Sequence, residues 1–186
     1  MSRAGRVARR VGVGALGALV LAVGAGIPVY VLPPVDPVPE HADAVLVLGP
    51  PTRARTELGR DLVEAGVADT LVISVWASDL SAAPGENDVV ACDEPDMDVI
   101  CFTADPGTTQ GEARALADDA RTDHWDSVVV ITQTPHIARA RLLLGRCFDG
   151  ELSMVSSGEP YTLGDWAYEY VYQTGAFAKA LVSLDC

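Results

Sequence analysis

The stretch Thr132-Gln133-Thr134-Pro135-His136-Ile137-Ala138-Arg139 holds the residues best placed for chemistry. Pro135 suits the first position of a helix and Thr134 its cap. His136 and Arg139, three residues apart, then share a face in the first turn. That end of a helix carries the positive pole of the macrodipole, so an arginine there is unfavourable without an anion beside it. A bound phosphate or carboxylate supplies one, and so does an acidic side chain of the protein itself. His136 is suited to general acid or base work, or to donating to an anion. Taken alone, a single helical histidine is more often a structural group.

Four further residues join this pair. Arg55 brings positive charge to the start of another helical pattern, with Glu57 and Asp61 within reach as surface partners. Thr109-Gln110-Gly111-Glu112 has two readings. A threonine cap followed three residues later by glutamate is a capping box. The other reading turns Thr109 and Glu112 toward a ligand crevice. Ser74 ends an apolar strand pattern at the edge of that crevice. It lacks the G-x-S-x-G elbow, so no serine hydrolase is expected. The candidate catalytic residues are therefore His136 and Glu112, and the candidate substrate-binding residues are Arg55, Ser74, Thr109 and Arg139. Asp43, directly before the first strand pattern, reads as a strand-start residue.

Other chemistries are poorly supported. None of His41, His124 and His136 has a second histidine within five residues, so no metal site is expected. Lys179 is the only lysine, which argues against a Schiff base. Gly49 is followed by Pro50-Pro51 rather than a G-x-G-x-x-G run, and no Walker loop exists, so no nucleotide cofactor is expected.

Short apolar runs alternating with helical patterns must position these groups. Strands are expected at Ala44–Gly49, Thr70–Val75, Ile100–Thr103, Ser127–Thr132 and Leu152–Ser156. Helices are expected at Arg53–Ala65 (stopped by Gly66), Gln110–Arg121, His136–Cys147 and Leu163–Leu184, the last broken near Gly175. Apolar strands alternating with helices imply a mostly parallel sheet covered on both faces. The expected class is α/β, a three-layer Rossmann-like domain. Ligands of such sheets sit outside the carboxyl ends of the strands, which points to the loops after Gly49, Val75, Thr103 and Thr132. Trp76–Asp98 reads as a polar surface excursion.

The amino terminus is different. Arg3, Arg6, Arg9 and Arg10 precede an uncharged run of 22 residues, Val11–Leu32. About 20 apolar residues span a bilayer as a helix, and the arginine cluster argues for a cytoplasmic N-terminus. The run is longer than the apolar core of a cleaved signal, which favours a permanent anchor, although Ala22 and Gly24 resemble a small-x-small cleavage pair. Residues 1–10 form the cytoplasmic segment and 11–32 the anchor. Residues 33–41, rich in proline, read as an extended spacer lifting the outer domain, 42–186, off the membrane.

The outer segment is acidic, and its cysteines agree with an extracytoplasmic location. Residues 36–186 carry 9 basic and 26 acidic groups, a net charge of −17. So acidic a domain repels a phosphate backbone, which excludes general nucleic-acid binding. Hydrophobic residues make up 49% of the chain, enough for a packed core and too many for general disorder. The four cysteines, Cys92, Cys101, Cys147 and Cys186, contain no C-x-x-C pair. An oxidising compartment favours disulfides. Of the three possible pairings, Cys92–Cys101 and Cys147–Cys186 keep each bridge local. Loop closure then gives about 2.7 and 3.9 kcal/mol.

These blocks together resemble the DUF218 (YdcF-like) family, which includes SanA- and ElyC-type envelope proteins. Asp43-Ala-Val-Leu-Val-Leu-Gly49 is similar to its opening DAIVVLG. Arg55 with Leu62, Gly66 and Ala68 resembles its R…L…G.A helix. Thr109-Gln-Gly-Glu112-Ala113-Arg114 resembles its T-R-G-E-A block, and Val130-Ile-Thr132…His136-Ile-Ala-Arg139-Ala140 its VTSxYHxxRA block. The likeness covers roughly Ala42–Phe148. The chain departs from it at Ser74-Val75-Trp76, where the family has SGG, at Pro50-Pro51, and at Pro135, where it has tyrosine. The resemblance implies a Rossmann-like domain tethered at the cell envelope and a part in envelope or peptidoglycan-precursor physiology, with no single reaction. Two functions are compatible with it. One is binding or processing of an anionic envelope metabolite, such as a polyprenyl phosphate or sugar phosphate. The other is a noncatalytic envelope factor that uses the fold as an interaction surface.

Overall fold

The computed structural model describes residues 3–77, 92 and 96–186, and only the backbone for 3–11. Most of the Trp76–Asp98 excursion therefore lies outside the described residues. The helix α1 (Arg3–Gly26) leads into a π-helical turn, Ile27–Val31. The domain follows as β1 (Ala44–Val47), α2 (Arg53–Glu64), β2 (Thr70–Ser74), β3 (Asp98–Phe102), α3 (Thr109–Asp123), β4 (Ser127–Thr132), α4 (Ile137–Leu144), β5 (Glu151–Ser156) and α5 (Leu163–Val182). A 3-10 turn, Thr134–His136, opens α4.

The five strands form one sheet in the order β3-β2-β1-β4-β5, every pair parallel. The strands are apolar on both faces because helices cover both. Ala44, Leu46 and Leu48 meet Val130, Leu116, Ile137 and Leu144 in one core under α3 and α4. Val45 and Val47 meet Ile73, Ile131, Leu58 and Leu62 in a second core under α2. Alternation along β1 thus divides its side chains between two layers. The expected three-layer α/β fold is the one observed.

Two expectations about local structure change. α5 runs unbroken through Gly175. A helical glycine costs about 1 kcal/mol relative to alanine. Buried Gln173 and Ala180 on either side, with a Thr162–Asp165 capping box at the start, outweigh that cost. The proline-rich segment is extended but is held against the domain rather than lifting it away. Asp36 pairs with Arg141 at 2.8 Å, accepts the Met154 amide at 2.7 Å and donates its own amide to the Met154 carbonyl. Arg141 also donates to the Pro34 carbonyl. Burial raises the Asp36 carboxyl, but Arg141 and the Met154 amide outweigh it, and the net direction is down.

Both local disulfides form, Cys92–Cys101 and Cys147–Cys186, with Cα separations of 5.7 and 4.9 Å. The second draws the C-terminal tail across α3, where Gln110 and Arg114 donate to the carbonyls of Asp185 and Cys186. Arg146 holds the end of α5 by donating to the Ala180 and Ser183 carbonyls.

Asp43 behaves as a strand-start residue, at the end of the sheet opposite the expected crevice. Its Oδ2 accepts the Asp126 amide, the Ser127 amide and the Ser127 hydroxyl at 2.8, 2.8 and 2.9 Å. The Asp126 amide is the main reason its pKa lies below 3.8. Asp43→Ala is expected to destabilise the full chain by about 1–2 kcal/mol in denaturant titrations. A lowered acid stabilises above its unfolded pKa and loses that contribution as pH falls through the folded value. The deficit of the variant should therefore shrink in acid.

Candidate functional site

The strand order reverses between β1 and β4, and chains leaving those strands diverge to opposite faces. The crevice this creates at the carboxyl ends of the strands is the expected ligand position. A cleft of ≈ 840 Å³ occupies it. All six residues singled out from the sequence line this cleft: Arg55, Ser74, Thr109, Glu112, His136 and Arg139. Arg55, Ser74, Thr109, Glu112 and His136 are buried.

The start of α3 decides how two of them are used. The cap is Thr108, whose hydroxyl accepts the Gly111 amide, not Thr109. This one-residue shift overturns the capping-box reading of Thr109 and Glu112 and turns both side chains into the crevice. Glu112 reaches across the layer, and its Oε1 accepts the Gly49 amide at 2.7 Å. Glycine at position 49 leaves room for this contact. A Cβ there would stand 3.1 Å from both the Ser74 carbonyl and hydroxyl oxygens and 3.3 Å from Glu112 Oε1. The Thr134 cap is also not made. The Thr134 hydroxyl pairs with that of Ser156 at 2.7 Å, and Gln133 occupies the cap position without a side-chain bond.

His136 lies between two threonines. Nδ1 is 2.9 Å from the Thr132 hydroxyl and Nε2 is 3.2 Å from the Thr109 hydroxyl. Burial first, then the positive charges of Arg139 and Arg55, hold its pKa well below 6.5. The ring is neutral at physiological pH, with one donor and one acceptor nitrogen, each facing a hydroxyl. Burial pushes Glu112 the other way, above 4.5, against the stabilising pull of the Gly49 amide, Ser74, Arg139 and Thr109. A carboxyl raised by burial at the edge of a cleft has the property required of a proton-transfer group.

The two arginines differ. Arg55 does not pair with Glu57 or Asp61. Its Nε and Nη2 donate to Glu159 Oε2 at 3.1 Å, Nη1 to the Pro50 carbonyl and Nη2 also to Gln133. Its charge is balanced within the protein. Arg139 has neutral direct partners: Nε donates to Gln173 Oε1 at 2.9 Å and Nη1 to the Thr109 hydroxyl at 3.3 Å, with the guanidinium 5.8 Å from the Tyr172 ring centroid. Among the described residues, no carboxylate lies within ion-pair distance of it. The carboxylates of Glu112 and Glu169 act on it only at longer range.

Sequence reasoning missed the wall that α5 contributes. Glu169 accepts from Gln133 and from Gln173, which in turn holds Arg139. The spacing of Glu169 and Gln173, four apart and so on one side of the helix, was a readable sign that a polar face meets something polar. Glu159, in an irregular loop, carried no such sign. Residues that could hold a metal ion do not cluster among the described residues. No family model, curated protein or solved structure matches the chain.

Glu112→Gln keeps an oxygen for the Gly49 amide and removes the ionisation. A carboxyl raised in the folded state costs stability as pH rises from 4.5 through its folded pKa. The variant should be at least as stable as wild type at neutral pH, and their difference should vanish below pH 4.5. Denaturant midpoints across pH check this; a variant less stable than wild type at neutral pH contradicts it. The His136 ring should show neutral-form NMR shifts at pH 6.5, where a free imidazole is half protonated.

Proposed function

We propose that the chain is a membrane-anchored extracytoplasmic protein that binds a phosphate-bearing envelope precursor, such as a polyprenyl phosphate or a sugar phosphate, in the cleft beside α5. Arg139 is the anion's partner, and Thr109 and Ser74 are its polar contacts. Arg55 shapes the loop after β1 from behind. Glu112 is the group placed to move a proton, and His136 orients the Thr109 hydroxyl. The observation that carries this reading is the contrast between the two arginines. One is matched by a carboxylate, and the other borders a sizeable cleft with neutral direct partners in a domain of net charge −17.

Location follows from the same reading. The helix over Gly12–Val31 has a mean hydropathy of 2.0 and is long and apolar enough to cross a membrane. Two disulfides suit an oxidising compartment. The order of sequence blocks that resembles the DUF218 family supports an envelope role.

A second reading, a noncatalytic envelope factor, is favoured by the His136 ring, since both its nitrogens are already engaged. The two readings differ in turnover, and the factor uses the fold as an interaction surface whether or not it holds the anion. In nanodiscs, the full chain should bind polyprenyl monophosphate and not the matching polyprenol. Arg139→Met keeps the aliphatic stem and should weaken binding roughly 10- to 100-fold, the loss expected for a charge-assisted hydrogen bond. Binding unaffected by Arg139→Met would remove the proposal. Turnover abolished by Glu112→Gln with binding intact supports the enzyme; binding with no turnover in wild type supports the factor.

A further inference from the structure

α5 presents an apolar face that the domain does not cover. Its buried side carries Glu169, Gln173 and Ala180. By helical periodicity the opposite side is led by Val171, Ala178 and Val182, with Val171 78% and Val182 80% exposed. Between Asp165 and Asp185 the charged residues are Glu169, which is buried, and Lys179. In a domain this acidic, a helix face without acidic groups is unsuited to open water.

The neighbour of α5 identifies what covers that face. Tyr170 lies on the flank toward α1, and its hydroxyl donates to the Val23 carbonyl at 3.2 Å. Its ring meets Tyr30 edge-on, with centroids 5.3 Å apart, and lies so close over Gly26 that any side chain there would collide with it. The Tyr30 hydroxyl bonds that of Thr174 at 3.2 Å. Val23, Gly26 and Tyr30 all belong to the apolar span Gly12–Val31. Tyr30 is at the outer end of the span and Val23 about 12 Å along the helix from Val31. A helix that touches the span at its outer end through Thr174 and reaches inward through the Tyr170 side chain lies beside the boundary between headgroups and acyl chains, where amphipathic helices insert by about 5–10 Å.

We propose that α5 is an interfacial helix, lying in the outer surface of the bilayer that α1 crosses, with Val171, Ala178 and Val182 against the acyl chains. Exposed Tyr168 and Tyr172 then sit at headgroup level, as tyrosines do in aromatic belts, and Lys179 reaches the headgroups from the flank. Tyr168, Val171 and Tyr172 also border the cleft. The mouth of the cleft therefore opens beside the bilayer, and a lipid-linked phosphate meets Arg139 without its chain leaving the membrane. The inference rests on α1 being a membrane span and deepens the proposed function by naming a lipid-linked ligand.

The test is acyl-chain photolabelling. The full chain is placed in phosphatidylglycerol–phosphatidylcholine nanodiscs containing a diazirine-bearing phospholipid, and labelled peptides are mapped. Labels are expected on α1 and on α5 around Val171 and Val182, and not on α2 or α3. Val171→Glu combined with Val182→Glu should lower α5 labelling roughly tenfold and leave α1 labelling unchanged. Labelled α1 with unlabelled α5 overturns the inference while the span stands. Label on neither overturns both. An unlabelled α5 that cross-links to α5 of another chain assigns the face to a second copy and overturns the inference as well.

Discussion

The bond from the Gly49 amide to the Glu112 carboxylate sets the geometry of the site. It joins the end of β1 to the start of α3 across the point where the sheet order reverses, and it places a carboxylate where a parallel sheet leaves room for a ligand. Thr108 caps α3, and the Glu112 side chain crosses to Gly49 rather than turning back on its own helix. A side chain at Gly49 would crowd Ser74 and Glu112. Thr109, the next residue, is then free to join His136 to Arg139. Burial moves Glu112 and His136 in opposite directions, the carboxyl up and the imidazole down, so each is biased toward its uncharged form beside two guanidiniums.

The far wall depends on the chain's end. α5 supplies Glu169, Gln173 and Tyr172, and its position is held by its cap, by Arg146 on its last carbonyls and by the Cys147–Cys186 bridge beyond it. The other flank of α5 is tied to α1 through Tyr170. Asp36 and Arg141 close the loop by pinning the connecting segment to β5 and α4. These contacts tie α1, the connecting segment and the wall of the cleft to one another, which supports the proposal that the cleft faces a membrane.

The layers were legible because burial on both faces leaves β1, β2 and β4 as unbroken apolar runs, a pattern that needs no tertiary information. The convergence of Arg55, Ser74, Thr109, Glu112, His136 and Arg139 was legible too, since parallel sheets send the loops after successive strands to one end. The register of α3 was not. Thr108 and Thr109 are equally good caps by residue type, and the observed register goes with a Glu112 contact to Gly49 some sixty residues away, which local sequence does not show. The partner of Arg55 was equally hidden, because Glu159 comes from a loop with no periodicity. The continuity of α5 through Gly175 depended on packing that outweighs local propensity, which only the folded neighbours reveal.

The central claim is that Arg139 meets the phosphate of a lipid-linked ligand. Its most direct test is the Nε–H resonance of Arg139 in the 15N-arginine-labelled full chain in nanodiscs, assigned by its loss in Arg139→Met. On adding polyprenyl monophosphate the resonance should shift saturably, with no shift from the matching polyprenol and none at Arg55, whose donors face Glu159. An Arg139 resonance unmoved by the phosphate, or moved equally by the alcohol, contradicts the account.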